Sequence, residues 1–305
     1  AAVDLRAVAH VTGGGILGNL GRKLAGGNLS INQIRPELMG PGASQALRPF
    51  PQYADVQIVA PSLGVSSYHA AMIRVERRFS GGLQFAGSYT WSKLLSNVDG
   101  GEQNGGGEAT YSDFYNRRAD WGASENDIRR RFTWSSTWQL PFGRGGRLLR
   151  GGLPALIAGG WGLGSIVTIQ SAPPFTVTAQ TNTTYAFPAG PLRADVLGDP
   201  NLPADVRTLH EWFDTSKFAQ PAPYTFGNQG VNILRGDGLV NFDFSILRSF
   251  RLRERWNLEF RGEVFNAINH PDFGLPGHSF GSADFGVVDT ARPPRRVQLG
   301  MRLTF

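Results

Sequence analysis

Apolar and polar residues alternate along much of the chain, and the alternation is strictest at its C-terminal end. Successive side chains of a strand point to opposite faces, so residues two apart share a face. One face of the last ten residues is fully apolar and consists of Val297, Leu299, Met301, Leu303 and Phe305. The pattern predicts a two-faced strand with one side for lipid and one for a polar lumen. An edge strand of a soluble sandwich would carry the same pattern, so this strand alone leaves both folds open.

Other stretches repeat this alternation and predict about eight strands in all. The first two long strands flank the tight turn Ser80-Gly81-Gly82 and form a hairpin of strands of about 12 residues, long enough for a tilted strand to cross a bilayer. Only Leu209 to Phe218 is predicted to form a helical turn or two. The remaining predicted strands are Asp55 to Ala60, Ser67 to Phe79, the stretch from Leu83 through Ser92 up to the connection at 96, Ile128 to Leu140, Trp161 to Val177, Leu239 to Phe250 and Trp256 to Asn266.

The lengths of the connections favour a barrel over a sandwich. In an antiparallel meander, alternate connections lie at the same end of the sheet. Short and long connections alternate here, which places every long loop at one end, as in outer-membrane barrels; a sandwich has no reason to sort its loops in this way. The connections in order are 80–82, 96–127, 141–160, 179–238, 251–255 and 267–294. We therefore predict an all-β antiparallel transmembrane β-barrel meander with long extracellular loops.

Composition and charge agree with this fold and exclude other classes. The chain has 305 residues with 40 Gly, 19 Pro, 20 Phe and 7 Trp, and only 18% of its residues are charged, which indicates a protein rich in turns and aromatic strands. It has no apolar run of 18 residues, so a membrane-spanning helix is excluded. The net charge of +6 comes from Arg residues scattered among aromatic ones, a pattern explained by a lumen or an anionic lipid surface without nucleic acid. The absence of Cys excludes disulfides and fits an extracytoplasmic location.

Charged residues that recur every second position form the candidate lumen-facing sets. In a barrel they would form ionic ladders on the polar face, an interpretation that we favour over general acid–base catalysis. The five His residues show no metal-ligand spacing, and no nucleophile elbow occurs. We therefore predict no catalytic, cofactor or metal site and no enzymatic activity. The predicted lumen-facing residues are Arg74, Glu76, Arg78, Glu259, Arg261 and Glu263.

The first 22 residues do not follow the strand pattern, so we divide the chain into an N-terminal segment, 1–22, and a partial barrel domain, 23–305. Gly13, Gly15 and Gly18 form a literal G-x-G-x-x-G, but no βαβ unit surrounds it, so phosphate binding is not expected. Residues 1–20 resemble a short glycine-rich segment of the aminoimidazole ribonucleotide synthetases, which suggests a fusion or a mis-joined reading frame. No export signal opens the chain, so an exported protein would carry it upstream and the chain would be a fragment.

Several spaced motifs carry a second and longer resemblance, which covers about residues 19 to 305. Together with the terminal Phe305, they resemble the C-terminal part of the Oar-like TonB-dependent receptors of Gram-negative bacteria. The motifs are Arg48-Pro49-Phe50-Pro51-Gln52-Tyr53, Ser66-Ser67-Tyr68-His69-Ala70, Tyr89-Thr90-Trp91-Ser92-Lys93, Asn126-Asp127-Ile128-Arg129-Arg130-Arg131-Phe132, Leu140-Pro141-Phe142-Gly143 and Glu263-Val264-Phe265-Asn266-Ala267-Ile268-Asn269-His270-Pro271-Asp272-Phe273.

The resemblance implies a barrel of about 22 strands in the outer membrane, closed around a plug that contacts TonB. The plug is absent from this chain, so any link to the TonB system would run through it. The last strand resembles the signal read by the barrel assembly machinery, with Phe305, Leu303 and Met301 as its apolar residues. Outer-membrane lipid and an extracellular ligand of unknown identity are the other expected partners. The alternative is a non-transporting surface or structural β protein, such as a soluble carbohydrate-binding-like module.

Overall fold

The computed structural model describes residues 3–12, 28–59, 64–97, 112–143, 146–186, 192–253 and 256–305. Eight long strands form one antiparallel sheet in which every strand pairs with its neighbours in the sequence. This arrangement confirms the predicted meander. The short strand Gly122–Ala123 extends the sheet beside the third strand. The long strands are β1 (Val3–Thr12), β2 (Ser66–Ser80), β3 (Leu83–Ser96), β4 (Arg130–Gln139), β5 (Trp161–Gln170), β6 (Leu239–Arg253), β7 (Trp256–Phe265) and β8 (Arg296–Thr304).

The sheet is open, because β1 and β8 each pair on one side only among the described residues. A closed barrel of about 22 strands therefore remains a prediction. The extra strand relative to our expectation is β1, whose backbone pairs with β2 over ten residues from Val3↔Arg77 to Thr12↔Tyr68. The short strand Gln57–Val59, predicted as Asp55 to Ala60, pairs with Asn28–Ser30 outside this sheet. The division at residue 22 stays a prediction, and the G-x-G-x-x-G lies outside the described residues.

The register of the sheet keeps apolar and polar side chains on opposite faces across many strands. One cross-strand row of the apolar face runs through Ile73, Tyr89, Phe132, Ile169 and Val240. The neighbouring row of the polar face runs through Arg74, Ser88, Thr133, Thr168 and Asn241. Because the side-chain period of a strand is two, a slip of one residue would exchange the two faces. The pairing therefore preserves the two-faced pattern of the sequence.

Glycines and prolines set the ends of the strands. Gly81 and Gly82 both have positive φ (61° and 86°), as a two-residue hairpin turn with matching twist requires. A Cβ on Gly82 would lie 2.7 Å from the carbonyl oxygen of Gln139, so a side chain is also excluded by space. The fifth strand ends at Gln170 and not at Val177 as predicted, because a proline lacks the N–H that a strand needs and Pro173 and Pro174 follow.

The helical structure agrees in part with the prediction in one connection and contradicts it in another. Leu209 to Phe218 contains only the 3₁₀ turn Thr215–Lys217, which begins where the Asp214 carboxylate accepts a hydrogen bond from the Ser216 N–H (3.0 Å). The connection from 141 to 160, predicted as a turn, contains the helix α1 (Gly152–Ala158). Pro154 and the flanking glycines indicate a turn, but a proline is tolerated in the first turn of a helix, where its missing N–H has no partner to lose. None of the helices in the described ranges is long and apolar enough to cross a membrane.

The compact hydrophobic core of the described structure lies in the long connections and not beneath the sheet. We call residues 112–129, 171–186, 192–238 and 266–295 the loop cap. Phe213 is 1% exposed and contacts Phe175, Phe218 and Phe285 at ring-centroid distances of 5.9, 5.6 and 5.2 Å. Val177, Ala194 and Leu234 complete the cluster. The long connections therefore form a packed unit at one end of the sheet, which we call the long-loop end; the other end is the turn end.

Candidate functional site

The polar face carries five of the six charged residues predicted from the sequence, and two pairs of them form ion bridges. The Arg74 guanidinium lies 3.0 Å from the Glu76 carboxylate on β2, and both side chains are about half exposed. On β7, the Arg261 guanidinium lies 2.6 Å from the Glu263 carboxylate. Side chains two apart on a strand share a face, which explains both pairs. Such exposed pairs contribute about 1 kcal/mol or less to stability. Any functional contribution would therefore come from the charge that they place on the polar face.

The structure does not bring all six predicted charged residues into one site. The pairs on β2 and β7 are separated by β3, β4, β5 and β6. Glu259 is opposite Arg302 in the register, but these two described side chains form no ion bridge. Arg78 lies within the register shift between Arg77 and Ser80, where pairing no longer fixes the face of a side chain. The charged residues are thus distributed along the polar face, as in a wall, and are not gathered as in a catalytic centre.

Between the two pairs, the polar face is lined by small hydroxyl and amide side chains. The Ser88 and Thr133 hydroxyl oxygens are 2.7 Å apart and join β3 to β4. An open cavity of about 340 Å³ lies against this face. It presents positively and negatively charged side chains in a concave setting that is open to solvent, and it contains no cluster of catalytic groups. Its polar lining includes Gln84, Ser135, Thr137, Asp243, Arg261 and Glu263.

The Asp127 carboxylate joins the loop cap to the sheet. It is fully buried and accepts hydrogen bonds from the Leu94 N–H (2.7 Å), the Arg129 Nε (2.6 Å) and the Arg235 guanidinium (2.5 Å). Arg235 also donates to the carbonyl oxygen of Ala172 (2.8 Å). Burial by itself raises the pKa of Asp127, but these hydrogen bonds outweigh it and hold the pKa below its ordinary value. One carboxylate thus ties three separate segments of chain together.

A second buried ion pair fastens the connection between β3 and β4 into the loop cap. Arg193 donates to the Asp120 carboxylate (2.5 Å) and to the Ser112 hydroxyl (2.8 Å), and both ends of the ion pair are about nine-tenths buried. Nearby, burial raises the pKa of Asp113, although hydrogen bonds from the backbone of Tyr115 and Asn116 partly oppose it. The cap is therefore fixed by charged contacts between residues about 70 to 110 positions apart in the sequence.

The motif from Glu263 to Phe273 forms a tight, hydrogen-bonded turn where β7 enters the cap. The Asn266 side-chain amide exchanges two hydrogen bonds with the His270 backbone (2.9 and 3.0 Å), and Asn266 has a positive φ of 50°. Asp272, 4% exposed, accepts a hydrogen bond from the Val240 N–H (2.8 Å) and so reaches β6. These contacts give the motif a structural role at the long-loop end.

Two tyrosines lie side by side on the cap, Tyr185 exposed and Tyr224 partly buried. Tyr185 and Tyr224 have ring centroids 5.1 Å apart with planes tilted by 30°, and Tyr185 is 56% exposed. Both have positive φ (58° and 67°), a conformation that is rare for bulky residues and costs energy. The sequence around them contains no charged residue from Ser171 to Pro191 or from Phe218 to Leu234. The pair thus forms a neutral aromatic surface, which the sequence pattern did not indicate.

The terminal strand exposes its apolar row completely. Val297, Leu299 and Met301 are 64%, 70% and 77% exposed, and Phe305 contacts only Trp256 among the described rings (5.8 Å). Such a continuous apolar row in water would be an aggregation site. It therefore calls for lipid or a further protein surface.

Sequence reasoning named charged residues whose lumen-facing role stays a prediction, and it did not single out Asp127, Arg193 or the tyrosine pair. The only sequence signal for Asp127 was its position in the Asn126 to Phe132 motif. No group of His, Cys, Asp or Glu among the described residues has the geometry of a metal site.

In comparisons with known proteins, residues 13–298 match the family described as the outer membrane beta barrel domain. No curated protein matches the chain.

Proposed function

The chain belongs to the outer membrane β-barrel domain family, and from that premise we propose that it supplies wall strands and ligand-facing loops of a TonB-dependent receptor or transporter. The protein is located in the outer membrane. This location removes the soluble form of the carbohydrate-binding-like alternative. The family suggests a protein without catalytic activity.

One observation supports the proposal most directly: the two-faced sheet carries its long connections at one end, where they fold into the loop cap. In an outer-membrane barrel, the apolar face meets lipid, the polar face lines the lumen, and the long loops face the outside of the cell. The charged ladder would then line the lumen through Arg74, Glu76, Arg261 and Glu263. The cap would meet the ligand.

A labelling experiment tests the wall and the transport role separately. The natural chain has no Cys, so a single Cys reports one position. Thr137→Cys on the polar face should react with a membrane-impermeant thiol reagent, whereas Ile73→Cys on the apolar face should not. If the protein works with TonB, the labelling rate of Thr137→Cys should differ between energised cells and cells without a proton-motive force. Equal rates would support the alternative, a non-transporting surface protein.

We place the ligand contact at Tyr185 and Tyr224. Two adjacent aromatic rings in neutral, amide-rich and hydroxyl-rich surroundings suit a neutral ligand with a flat apolar face, such as a sugar ring. Backbone strain concentrates at ligand-binding positions, and both tyrosines carry it.

Binding of the purified chain to a glycan array should fall in Tyr185→Ala and Tyr224→Ala. Tyr53→Ala is the matched control, since Tyr53 is equally exposed (56%) on another loop. Undiminished glycan binding by both variants, or no glycan binding by the parent chain, would contradict this assignment.

A further inference from the structure

We infer that α1 and the turn before it form an interfacial anchor that binds anionic phospholipid at the turn end of the sheet. The inference rests on the proposed lipid-facing orientation of the apolar sheet face. We call residues 146–158 the anchor segment. Its features are an inverted helix, an attachment to the apolar sheet face and a purely basic charge.

The helix α1 is inverted relative to a helix of a water-soluble domain. Leu153, Leu156 and Ile157 have the spacing of one helical face and are 72%, 66% and 67% exposed. The small residue Ala155 is 7% exposed and faces the protein. Burial of large aliphatic side chains is the main favourable term in folding, so a helix that turns them outward needs an apolar partner. Leu148 and Leu149, 55% and 49% exposed, extend the same surface.

Two side chains of the apolar sheet face hold the helix in place. Trp161 and Arg248 are cross-strand partners in β5 and β6. The Trp161 indole N–H donates to the carbonyl oxygen of Ile157 (2.9 Å), and the Arg248 guanidinium donates to the same oxygen (2.7 Å) and to that of Leu156. Arg248, 9% exposed, also lies 5.0 Å from the Trp161 ring centroid. The helix C-terminus is therefore fixed against the face that we assign to lipid.

The turn before the helix is folded tightly against it. A Cβ on Gly143 would lie 2.5 Å from the Gly159 Cα, so the two backbones touch and neither position accepts a side chain. Gly143 N–H also donates to the carbonyl oxygen of Leu148 (3.0 Å). The apolar surface of the anchor segment is thus held in a fixed position and does not depend on a loose loop.

Charge identifies the lipid. Arg147 and Arg150 are exposed; Arg147 directly precedes Leu148 and Leu149, and Arg150 lies three residues before Leu153. The sequence contains no Asp or Glu between Asp127 and Asp195, so no acidic neighbour in this part of the sequence neutralises them. Here the helix itself is apolar and the Arg residues lie in the turn before it. Exposed apolar residues with Arg beside them are the combination that binds at the headgroup boundary of anionic membranes. The occupant is therefore the phospholipid leaflet at the turn end, with its phosphates beside the two arginines.

The test uses the full 305-residue chain in vesicles, with a bimane label on Leu153→Cys as the only thiol. Lipids with brominated acyl chains should quench this label, and brominated phosphatidylglycerol should quench it several-fold more than brominated phosphatidylcholine at the same mole fraction. In the Arg147→Gln/Arg150→Gln background the two lipids should quench equally. Label on Ile73→Cys should be quenched by both lipids, and label on Thr137→Cys by neither.

The outcomes separate this inference from the proposed function. If Ile73→Cys is quenched but Leu153→Cys is not, the inferred anchor is contradicted, whereas the lipid-facing orientation of the sheet is supported. Equal quenching of Leu153→Cys by the two lipids in the parent background would also overturn the binding of anionic lipid. If Ile73→Cys is not quenched, the lipid-facing wall itself is wrong, and the anchor falls with it.

Discussion

The Asp127 carboxylate makes contacts that no local pattern could produce. Its three donors come from β3, from its own loop and from Arg235. A buried carboxylate without such partners would take up a proton or destabilise the fold. Asp127 therefore couples the position of the cap to the long-loop end of β3.

Replacement of this carboxylate should loosen the cap. In Asp127→Asn the Leu94 N–H keeps an acceptor, but Arg235 loses its counter-charge, so we expect a loss of about 1–3 kcal/mol in cap stability. Hydrogen exchange of amides in the cap measures it. The control is Asp199→Asn, because Asp199 is fully exposed and bonds only to its neighbour Asn201. Unchanged protection in Asp127→Asn would contradict the role of Asp127 in holding the cap to the sheet.

The same carboxylate should make cap stability depend on pH. Its pKa in the folded protein lies below the ordinary value of 3.8. A lowered pKa gives stability that is fully present above the ordinary value and is lost as pH falls through the folded one. Cap protection, measured by hydrogen exchange or pepsin cleavage, should therefore fall as pH drops below about 4. Asp127→Asn should lack this component.

Asp113 should act in the opposite direction and provides the internal control. Its pKa is raised, chiefly by burial, so its contribution is present below the ordinary carboxyl pKa and is lost as pH rises through the folded value. Asp113→Asn should therefore preserve cap protection better than the parent chain as pH rises above about 4. A cap whose protection ignores pH in both variants and in the parent would refute both assignments.

Among the structural elements, the loop cap carries its own core and should unfold separately from the sheet. Phe213→Ala removes the ring that contacts Phe175, Phe218 and Phe285, and a loss of about 3–5 kcal/mol is expected for such a fully buried side chain. Leu197→Ala is the control, because Leu197 is 66% exposed in the same connection.

Two readouts distinguish the cap from the wall. Limited proteolysis should cleave the Phe213→Ala cap rapidly, whereas the heat-dependent shift in gel migration, which reports the folded sheet, should persist. Loss of both together would show that the cap and the sheet fold as one unit.

The long strands could be predicted closely, and the cap could not. Predicted Leu239 to Phe250 and Trp256 to Asn266 correspond to Leu239–Arg253 and Trp256–Phe265, because a period of two is a local property of the sequence. The cap core instead joins Phe175 to Phe213 and Phe285, which share no period and meet only through tertiary contacts. The short α1 was missed because it has only seven residues and contains Pro154 between glycines, which are local signals of a turn.

The whole molecule has two unlike faces and open sheet edges. The apolar face calls for a membrane, and the open edges call for further strands or another surface. Exposed apolar residues on β8 and α1 would be a liability in water, and the same residues stabilise a protein in lipid. The two ends of the sheet carry different structures. The long-loop end is closed by a packed and ion-paired cap, while the turn end presents Arg and Leu. This polarity fits one fixed orientation across a bilayer.

A pair of neighbouring substitutions tests the assignment of the two faces at this scale. Leu299→Arg puts a charge on the apolar row near the middle of β8, where lipid exposure costs about 2–4 kcal/mol for Arg. Gln298→Arg puts the same charge one residue away on the polar face and should cost little, because water or the ladder residue Glu263, its cross-strand partner, accepts it. Urea titration of the full chain folded in vesicles measures both. The two variants introduce the same charge in one strand at depths that differ by one residue. A much larger cost in Leu299→Arg is therefore expected if the apolar row meets lipid, and equal costs would place lipid on neither side of the sheet.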